Sequence, residues 1–122
     1  MKRNWDTIRE LLTKVEECCS RPVDSVRLAS FPTGRDIEIS YHMALLIEAG
    51  LVNGQISKSL NQEVNDFLAR RLTWEGHEFL DSIRNDTVWA KTKNAFLDKG
   101  VEMSFDLVKA FAKELIKETL GS

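Results

Sequence analysis

Long apolar runs are missing from this chain of 122 residues. No stretch approaches the roughly 18 consecutive apolar residues of a membrane-spanning helix, so we expect no contact with the membrane interior. Residues 1–6 lead into an amphipathic segment and not into the apolar core of a signal peptide. A cytoplasmic location is therefore expected. The length fits one domain, or one domain with a helical appendage, and is sufficient to bury a core.

Cysteine and histidine are also scarce. The two cysteines, Cys18 and Cys19, are adjacent, and neighbouring residues of a helix do not reach ordinary disulfide geometry without distortion. A disulfide framework is therefore not expected. Only His42 and His77 remain as further strong metal ligands, whereas zinc usually takes four protein ligands or a three-ligand catalytic set. We expect no metal and no cofactor.

Catalytic motifs are missing as well. The sequence contains no phosphate-binding loop, no dinucleotide fingerprint and no arrangement typical of a Ser-His-Asp set. His77 and Asp81 stand four residues apart on a predicted helix, with Glu78 beside them, and such a pair can support acid–base chemistry. Because no nucleophile accompanies them, we favour a surface hydrogen bond. The protein is predicted not to be an enzyme.

What the chain does contain is helical periodicity interrupted by strand-like segments. Apolar residues recur at three and four positions in five segments, which predict helices over 6–19, 36–49, 74–84, 87–98 and 104–120. Short strands are predicted over 51–56 and 67–72, and a polar segment, 57–66, joins them and is long enough to form a wing. Alternation over 26–29 predicts a further strand.

Apolar stripes define the expected core. The stripe of helix 36–49 comprises Ile39, Met43, Leu46 and Ala49. We expect the first three of these to pack against Leu11, Leu12 and Val15 of the first helix. The inner stripe of helix 74–84 is predicted to comprise Trp74, Phe79, Leu80 and Ile83. Gly50 is expected to end its helix in a left-handed conformation.

The order helix, strand, loop, strand, helix is the layout of a winged helix. The predicted fold class is therefore mainly α with a small β-wing: a winged-helix-like domain over 1–86, followed by two C-terminal helices. Residues 87–122 form this helical extension, which either packs on the domain or dimerises.

Three segments resemble parts of known winged-helix regulators. ISYHM at 39–43 and AGLV at 49–52 resemble the recognition helix and its end. RLTWEG at 71–76 resembles the end of the second wing strand. Together with residues 1–12 and 74–89, they are similar to an uncharacterised bacterial and phage family, domain of unknown function 2513. The resemblance covers most of the chain, up to about Gly121, and implies the fold without assigning any chemistry.

Two features depart from a DNA-binding pattern. The roughly fifteen residues after Cys19 show no helical stripe, so the helix-turn-helix motif is shortened. Residues 36–66 contain five acidic residues and only one base, Lys58, a sum of −4. Affinity for duplex DNA depends largely on lysine and arginine, so duplex binding is expected to be weak. Three arginines, Arg35, Arg70 and Arg71, form at most a small basic edge. We favour the interpretation that they are a solvated rim of the domain.

Two functions fit these observations. The leading hypothesis is nucleic-acid binding or transcriptional control in a bacterial or prophage setting. Its candidate contact residues are Arg35, Ser40, Tyr41, Lys58 and Arg70, since hydroxyl and basic groups reach phosphates or base edges. The alternative is a protein-interaction module that keeps the fold without DNA binding. His42 either contacts nucleic acid or packs with one nitrogen hydrogen-bonded, and we favour packing.

The alternative function uses apolar positions as a protein contact. Its candidate interface residues are Ala44, Leu45, Phe105, Val108, Phe111 and Leu115. The C-terminal stripe is broad enough to be buried on two surfaces. It either packs on its own domain or forms a homodimer, and both interpretations stay open.

Overall fold

The computed structural model describes residues 1–58 and 64–121. Within these ranges the chain forms five α-helices and one two-stranded antiparallel sheet, in agreement with the predicted mainly α fold with a small β-wing. The elements are α1 (Trp5–Cys18), α2 (Asp36–Glu48), β1 (Val52–Ser57), β2 (Asp66–Leu72), α3 (Trp74–Ile83), α4 (Asp86–Lys99) and α5 (Phe105–Gly121). Two compact units, Met1–His77 and Glu78–Ser122, divide the chain within α3.

Helix α1 begins at a side-chain cap. The Asn4 Oδ1 atom accepts hydrogen bonds from the backbone N–H groups of Asp6 and Thr7, at 3.0 and 3.2 Å. These bonds satisfy donors that the first helical turn leaves without partners. The Asp6 carboxylate also suits the positive end of the helix dipole. The sequence therefore fixes the start of α1 locally.

The core of the first unit lies between α1, α2 and the sheet. Helices α1 and α2 pack on each other, and Leu46 is fully buried, as predicted. The buried apolar residues of α1 and α2 are Ile8, Leu11, Leu12, Val15, Ile39, Met43 and Leu46. Ala49 was wrongly placed in this stripe: α2 ends at Glu48 and Ala49 is exposed, because Gly50 (φ 78°) then turns the chain away.

Strands β1 and β2 pair antiparallel with one irregularity. Asn53 lies opposite Arg71 and Gly54 lies opposite Ala69, so Arg70 is an additional residue on β2. This is the pattern of a β-bulge. Part of the predicted wing, residues 59–63, lies outside the described residues.

The predicted strand over 26–29 is wrong except at its first residue. Val26 and Ala69 exchange two backbone hydrogen bonds, of 2.8 and 2.9 Å. The chain then forms a 3₁₀-helix, Leu28–Ser30. The next backbone donors go to side chains and not to a ladder, since the Arg27 N–H donates to the Ser30 hydroxyl and the Leu28 N–H to the Asp66 carboxylate.

Helix α3 begins at Trp74, the predicted first residue, and Thr73 caps it, since the Thr73 hydroxyl oxygen accepts from the Gly76 N–H at 3.0 Å. The prediction that Trp74 faces inward is wrong, since this side chain is 75% exposed. Gly76 takes the inward place in the first turn, where its α-carbon lies against the backbone of Leu51. The close approach requires a residue without a β-carbon.

The second unit is helical. The Asn85 side chain caps α4 by accepting from the Val88 N–H at 3.0 Å, and Gly100 (φ 65°) ends this helix in the left-handed conformation. Helices α4 and α5 pack on each other. The buried apolar residues of this unit are Phe79, Leu80, Ile83, Val88, Trp89, Val108 and Ala112.

Candidate interaction surface

The outward side of α2 carries apolar side chains. Ile37 is 60% exposed and Tyr41 is 38% exposed, while Ala44 and Leu45 are half-buried. These four residues, hereafter the α2 face, lie on the side opposite the buried stripe because they occur at intervals of three and four positions. Sequence reasoning did not single out Ile37, although its spacing of four from Tyr41 was a usable signal.

The charge of α2 is entirely negative. The helix contains Asp36, Glu38 and Glu48 and neither lysine nor arginine. An apolar helix surface flanked by carboxylates fits a protein contact, whereas a DNA backbone attracts basic side chains.

Ser40 is directed into the protein. It is buried, and its hydroxyl donates to the backbone oxygen of Asn65 at 2.6 Å. This bond connects α2 to the chain just before β2. The geometry therefore speaks against Ser40 as a nucleic-acid contact and gives it a role in positioning the hairpin.

His42 is a buried link between two helices. Its Nε2 atom accepts from the backbone N–H of Asn4 at 2.7 Å. Its Nδ1 atom lies 2.7 Å from the backbone oxygen of Glu38 and must donate to it. This pattern assigns the neutral form with a proton on Nδ1. Both ring nitrogens are used internally, which leaves none for a ligand.

Arg35 is held by two carboxylates. Its guanidinium donates to both oxygens of Glu10, at 2.9 and 3.0 Å, and to Glu38, at 3.2 and 3.3 Å. The Thr7 hydroxyl donates to Glu38 as well. Hydrogen bonds to Glu10 and then Glu38 raise the pKa of Arg35 further. One positive charge between two negative ones offers little attraction to phosphate.

Exposed basic side chains do occur on the hairpin. Lys58 follows β1 directly, and Arg70 and Arg71 are neighbours at the bulge of β2. Arg35, the residue before α2, is thus paired with carboxylates, while Arg70 and Lys58 belong to the hairpin.

The predicted C-terminal interface residues differ in accessibility. Val108 is fully buried within α5, so it serves packing and not a contact surface. Phe105 is half-buried with its ring centre 5.0 Å from that of Phe79. Phe111 is half-buried against Phe96 at 5.8 Å, and Leu115 is half-buried as well.

Two classes of feature are missing from residues 1–58 and 64–121. No helix there combines the length and the apolar character needed to cross a membrane. The same residues form no group of three or more side chains suited to hold a metal ion.

Comparison with known proteins identifies the family. Residues 2–102 match the family described as Hypothetical protein (DUF2513). The chain belongs to the DUF2513 family. This match confirms the resemblance inferred from the sequence, and α5 lies beyond its end. A relative from Haemophilus influenzae (strain ATCC 51907 / DSM 11121 / KW20 / Rd), named "Uncharacterized protein", is 45% identical, with 99% of this chain and 100% of the relative covered. No solved structure matches the chain.

Proposed function

We propose that this DUF2513 protein is a non-enzymatic protein-interaction module of winged-helix-like architecture that binds its partner through the α2 face. The observation that carries the proposal is the exposure of Ile37 and Tyr41 on a helix without lysine or arginine. Exposed aromatic and aliphatic side chains on one helix face are suited to bind an apolar groove of another protein.

The same helix is poorly suited to a major groove. Specific readout needs side chains that reach base edges, supported by cations at the phosphates. Ser40 and His42 are buried and hydrogen-bonded internally, and Arg35 is paired with Glu10 and Glu38. Arg35, Ser40 and His42 are thus engaged in holding the fold together.

A second candidate function rests on the hairpin. Arg70 and Arg71 are exposed at the bulge of β2, and Lys58 is exposed directly after β1. Basic residues of this kind can hold a phosphate backbone without reading sequence. In this candidate the protein is a regulator of bacterial or prophage origin, and the hairpin supplies its nucleic-acid contact.

Site-specific photocrosslinking separates the two candidates. A photoreactive phenylalanine analogue replaces Tyr41 in one variant and Arg70 in another, and both are expressed in bacteria that encode the protein. We expect Tyr41 to give an adduct that protease removes and nuclease does not. Introducing Ile37→Glu into the Tyr41 variant should abolish this adduct, because a charge then enters the apolar contact.

Nuclease-sensitive adducts at position 70, with none at position 41, contradict the protein-interaction proposal and favour the hairpin candidate. Thermal unfolding of each variant serves as the control for folding. Both positions are exposed, so neither replacement removes a buried side chain.

The second unit offers a separate surface for self-association. Phe111 and Leu115 are half-buried on α5 and, being four positions apart, lie on one face of the helix. We infer that these residues form a homodimer contact. A two-fold axis is the commonest way in which a soluble protein buries such a surface.

A further inference from the structure

The adjacent cysteines occupy the end of α1. Cys18 is the last residue of the helix, and Cys19 (φ −111°, ψ 77°) has left the helical conformation, although its N–H still donates to the Val15 oxygen at 3.1 Å. This change of backbone conformation brings the two Sγ atoms to 2.9 Å. Both residues are free thiols and half-buried.

The pair lies beside the point where Val26 bridges to β2. The Cys18 thiol donates to the backbone oxygen of Ser25 at 3.5 Å. The Cys19 Sγ atom is 3.9 Å from the oxygen of Ala69, the residue that pairs with Val26. Both thiols therefore contact the backbone where the hairpin joins the rest of the first unit.

We propose that Cys18 and Cys19 form a reversible dithiol–disulfide site that a hydroperoxide oxidises. The Cys18 thiolate attacks a peroxide oxygen, the O–O bond breaks, and the alcohol or water leaves with a proton. The Cys19 sulfur then attacks the sulfenic acid of Cys18. The S–O bond breaks, and the hydroxide departs as water with the Cys19 proton. Two thiols lose two hydrogens, and one peroxide is reduced.

The contacts assign the order of the two steps. Burial above all, and next the hydrogen bond to Cys18, raise the pKa of the Cys19 thiol to about 12. Cys19 therefore keeps its proton and donates a hydrogen bond to the Cys18 sulfur, which leaves Cys18 as the sulfur that attacks the peroxide. Oxidation of Cys18 changes the sulfur to which Cys19 donates, and so weakens two of the causes that raise the pKa of Cys19, the hydrogen bond and the charge interaction with Cys18.

The short chain between the two sulfurs makes the bond reversible. The sulfurs must approach from 2.9 Å to roughly 2.05 Å in a disulfide. Neighbouring α-carbons across a trans peptide lie about 3.8 Å apart, less than the roughly 4.4 Å at the lower end of ordinary disulfides. The ring is therefore strained, and strained disulfides are the readily reduced ones.

Intact-mass spectrometry tests the proposal without ambiguity, because the chain has only two cysteines. The full chain is treated with hydrogen peroxide and then with an alkylating reagent. We expect a single chain, not covalently linked to another, that has lost two hydrogens and takes no alkyl group. Treatment with dithiothreitol should restore two alkylated thiols. The wild-type result alone decides, so the test does not depend on the folding of a variant.

The variants Cys18→Ser and Cys19→Ser test the order of steps. Cys19→Ser should accumulate a sulfenic acid that dimedone traps, whereas Cys18→Ser should give this adduct more slowly, at least several-fold. Two outcomes overturn the proposal. In one, the peroxide-treated wild-type chain still takes two alkyl groups. In the other, it forms only disulfides between chains or passes directly to sulfinic acid.

Discussion

At the scale of single residues, His42 links Asn4, the cap of α1, to α2. Replacing it in His42→Phe keeps the aromatic volume and removes both hydrogen bonds, to Asn4 N–H and Glu38 O. A partly buried donor and a partly buried acceptor then lose a partner, so we expect the free energy of unfolding to fall by about 1–3 kcal/mol. Urea unfolding of wild type and variant measures the difference.

The matched control is the other histidine. His77 is 49% exposed, and its Nδ1 atom lies 3.5 Å from the Glu16 carboxylate. A surface contact of this kind contributes at most about 1 kcal/mol. An equal loss in His42→Phe and His77→Phe would show that the His42 hydrogen bonds add nothing special to stability.

Glu38 gives the first unit a pH-dependent contribution to stability. Hydrogen bonds from Arg35, and next from Thr7, lower its pKa below the ordinary 4.5. The charged form is therefore favoured in the folded state. This stabilisation is fully present above pH 4.5 and is lost as the pH falls through the lowered value.

We expect Glu38→Gln to be less stable than wild type at pH 7, by less than about 1 kcal/mol because the pair is partly exposed. The difference should shrink as the pH falls below 4.5. Urea unfolding at a series of pH values measures it. Glu48→Gln, on the same helix, controls for the change in net charge, and a difference independent of pH argues against the Arg35–Glu38 contribution.

The sequence predicted the burial of His42 but not its partners. Asn4 and His42 are 38 positions apart, and Arg35 and Glu10 are 25 apart. Periodicity within a helix shows which side faces inward, and it carries no information on which distant polar group meets a given side chain. For this reason Ser40 and Arg35 were predicted as contact residues when the fold uses both internally.

At the scale of elements, Gly76 decides how α3 meets the sheet. A β-carbon at this position would lie 2.0 Å from the Leu51 backbone oxygen, which accepts from the Thr73 N–H. Alanine favours a helix over glycine by about 1 kcal/mol, yet the clash with backbone outweighs this gain. We expect Gly76→Ala to lower the free energy of unfolding by about 1–3 kcal/mol.

Gly121→Ala is the matched control, because Gly121 is also a helical glycine and a β-carbon there would meet nothing within 4 Å. It should be neutral within about 0.5 kcal/mol, or slightly stabilising. Thermal or urea unfolding of both variants tests whether Gly76→Ala lowers the free energy of unfolding while Gly121→Ala leaves it unchanged or raises it slightly. Equal effects would mean that α3 shifts away from Leu51 at no cost.

The elements that local patterns define were predicted well, and those that depend on tertiary contacts were not. Helix α2 and both strands follow from periodicity and from Gly50. The strand predicted over 26–29 fails because Asp66, far along the chain, takes the Leu28 N–H. The inward placement of Trp74 fails because apolar character suggested a buried aromatic where the fold needs Gly76.

At the scale of the molecule, charge sets the affinity for nucleic acid. The chain has a net charge of −2, and α2 contains three acidic residues and neither lysine nor arginine. We expect weak binding to random duplex DNA, without a measurable complex at submicromolar protein at roughly 0.15 M salt. Fluorescence anisotropy measures it.

The control for this titration lies on the hairpin. Reversing two charges in Arg70→Glu with Arg71→Glu should abolish any residual binding at low salt, whereas Ile37→Glu should reduce it little. Submicromolar affinity of the unmodified chain at the higher salt would overturn the electrostatic argument.

Helix α5 is expected to associate with a second copy of the chain. Val108 and Ala112 are buried, while Phe111 and Leu115 stay half-exposed beside them. We expect light scattering to give the mass of a dimer at micromolar concentration. Phe111→Glu and Leu115→Glu should give monomers, because each places an unpaired charge in an apolar contact.

Leu115→Glu is the cleaner variant, since Phe111 also packs on Phe96. Ala110→Glu, at an exposed position of α5, should remain a dimer. A monomeric wild type would assign the whole stripe to packing within the chain.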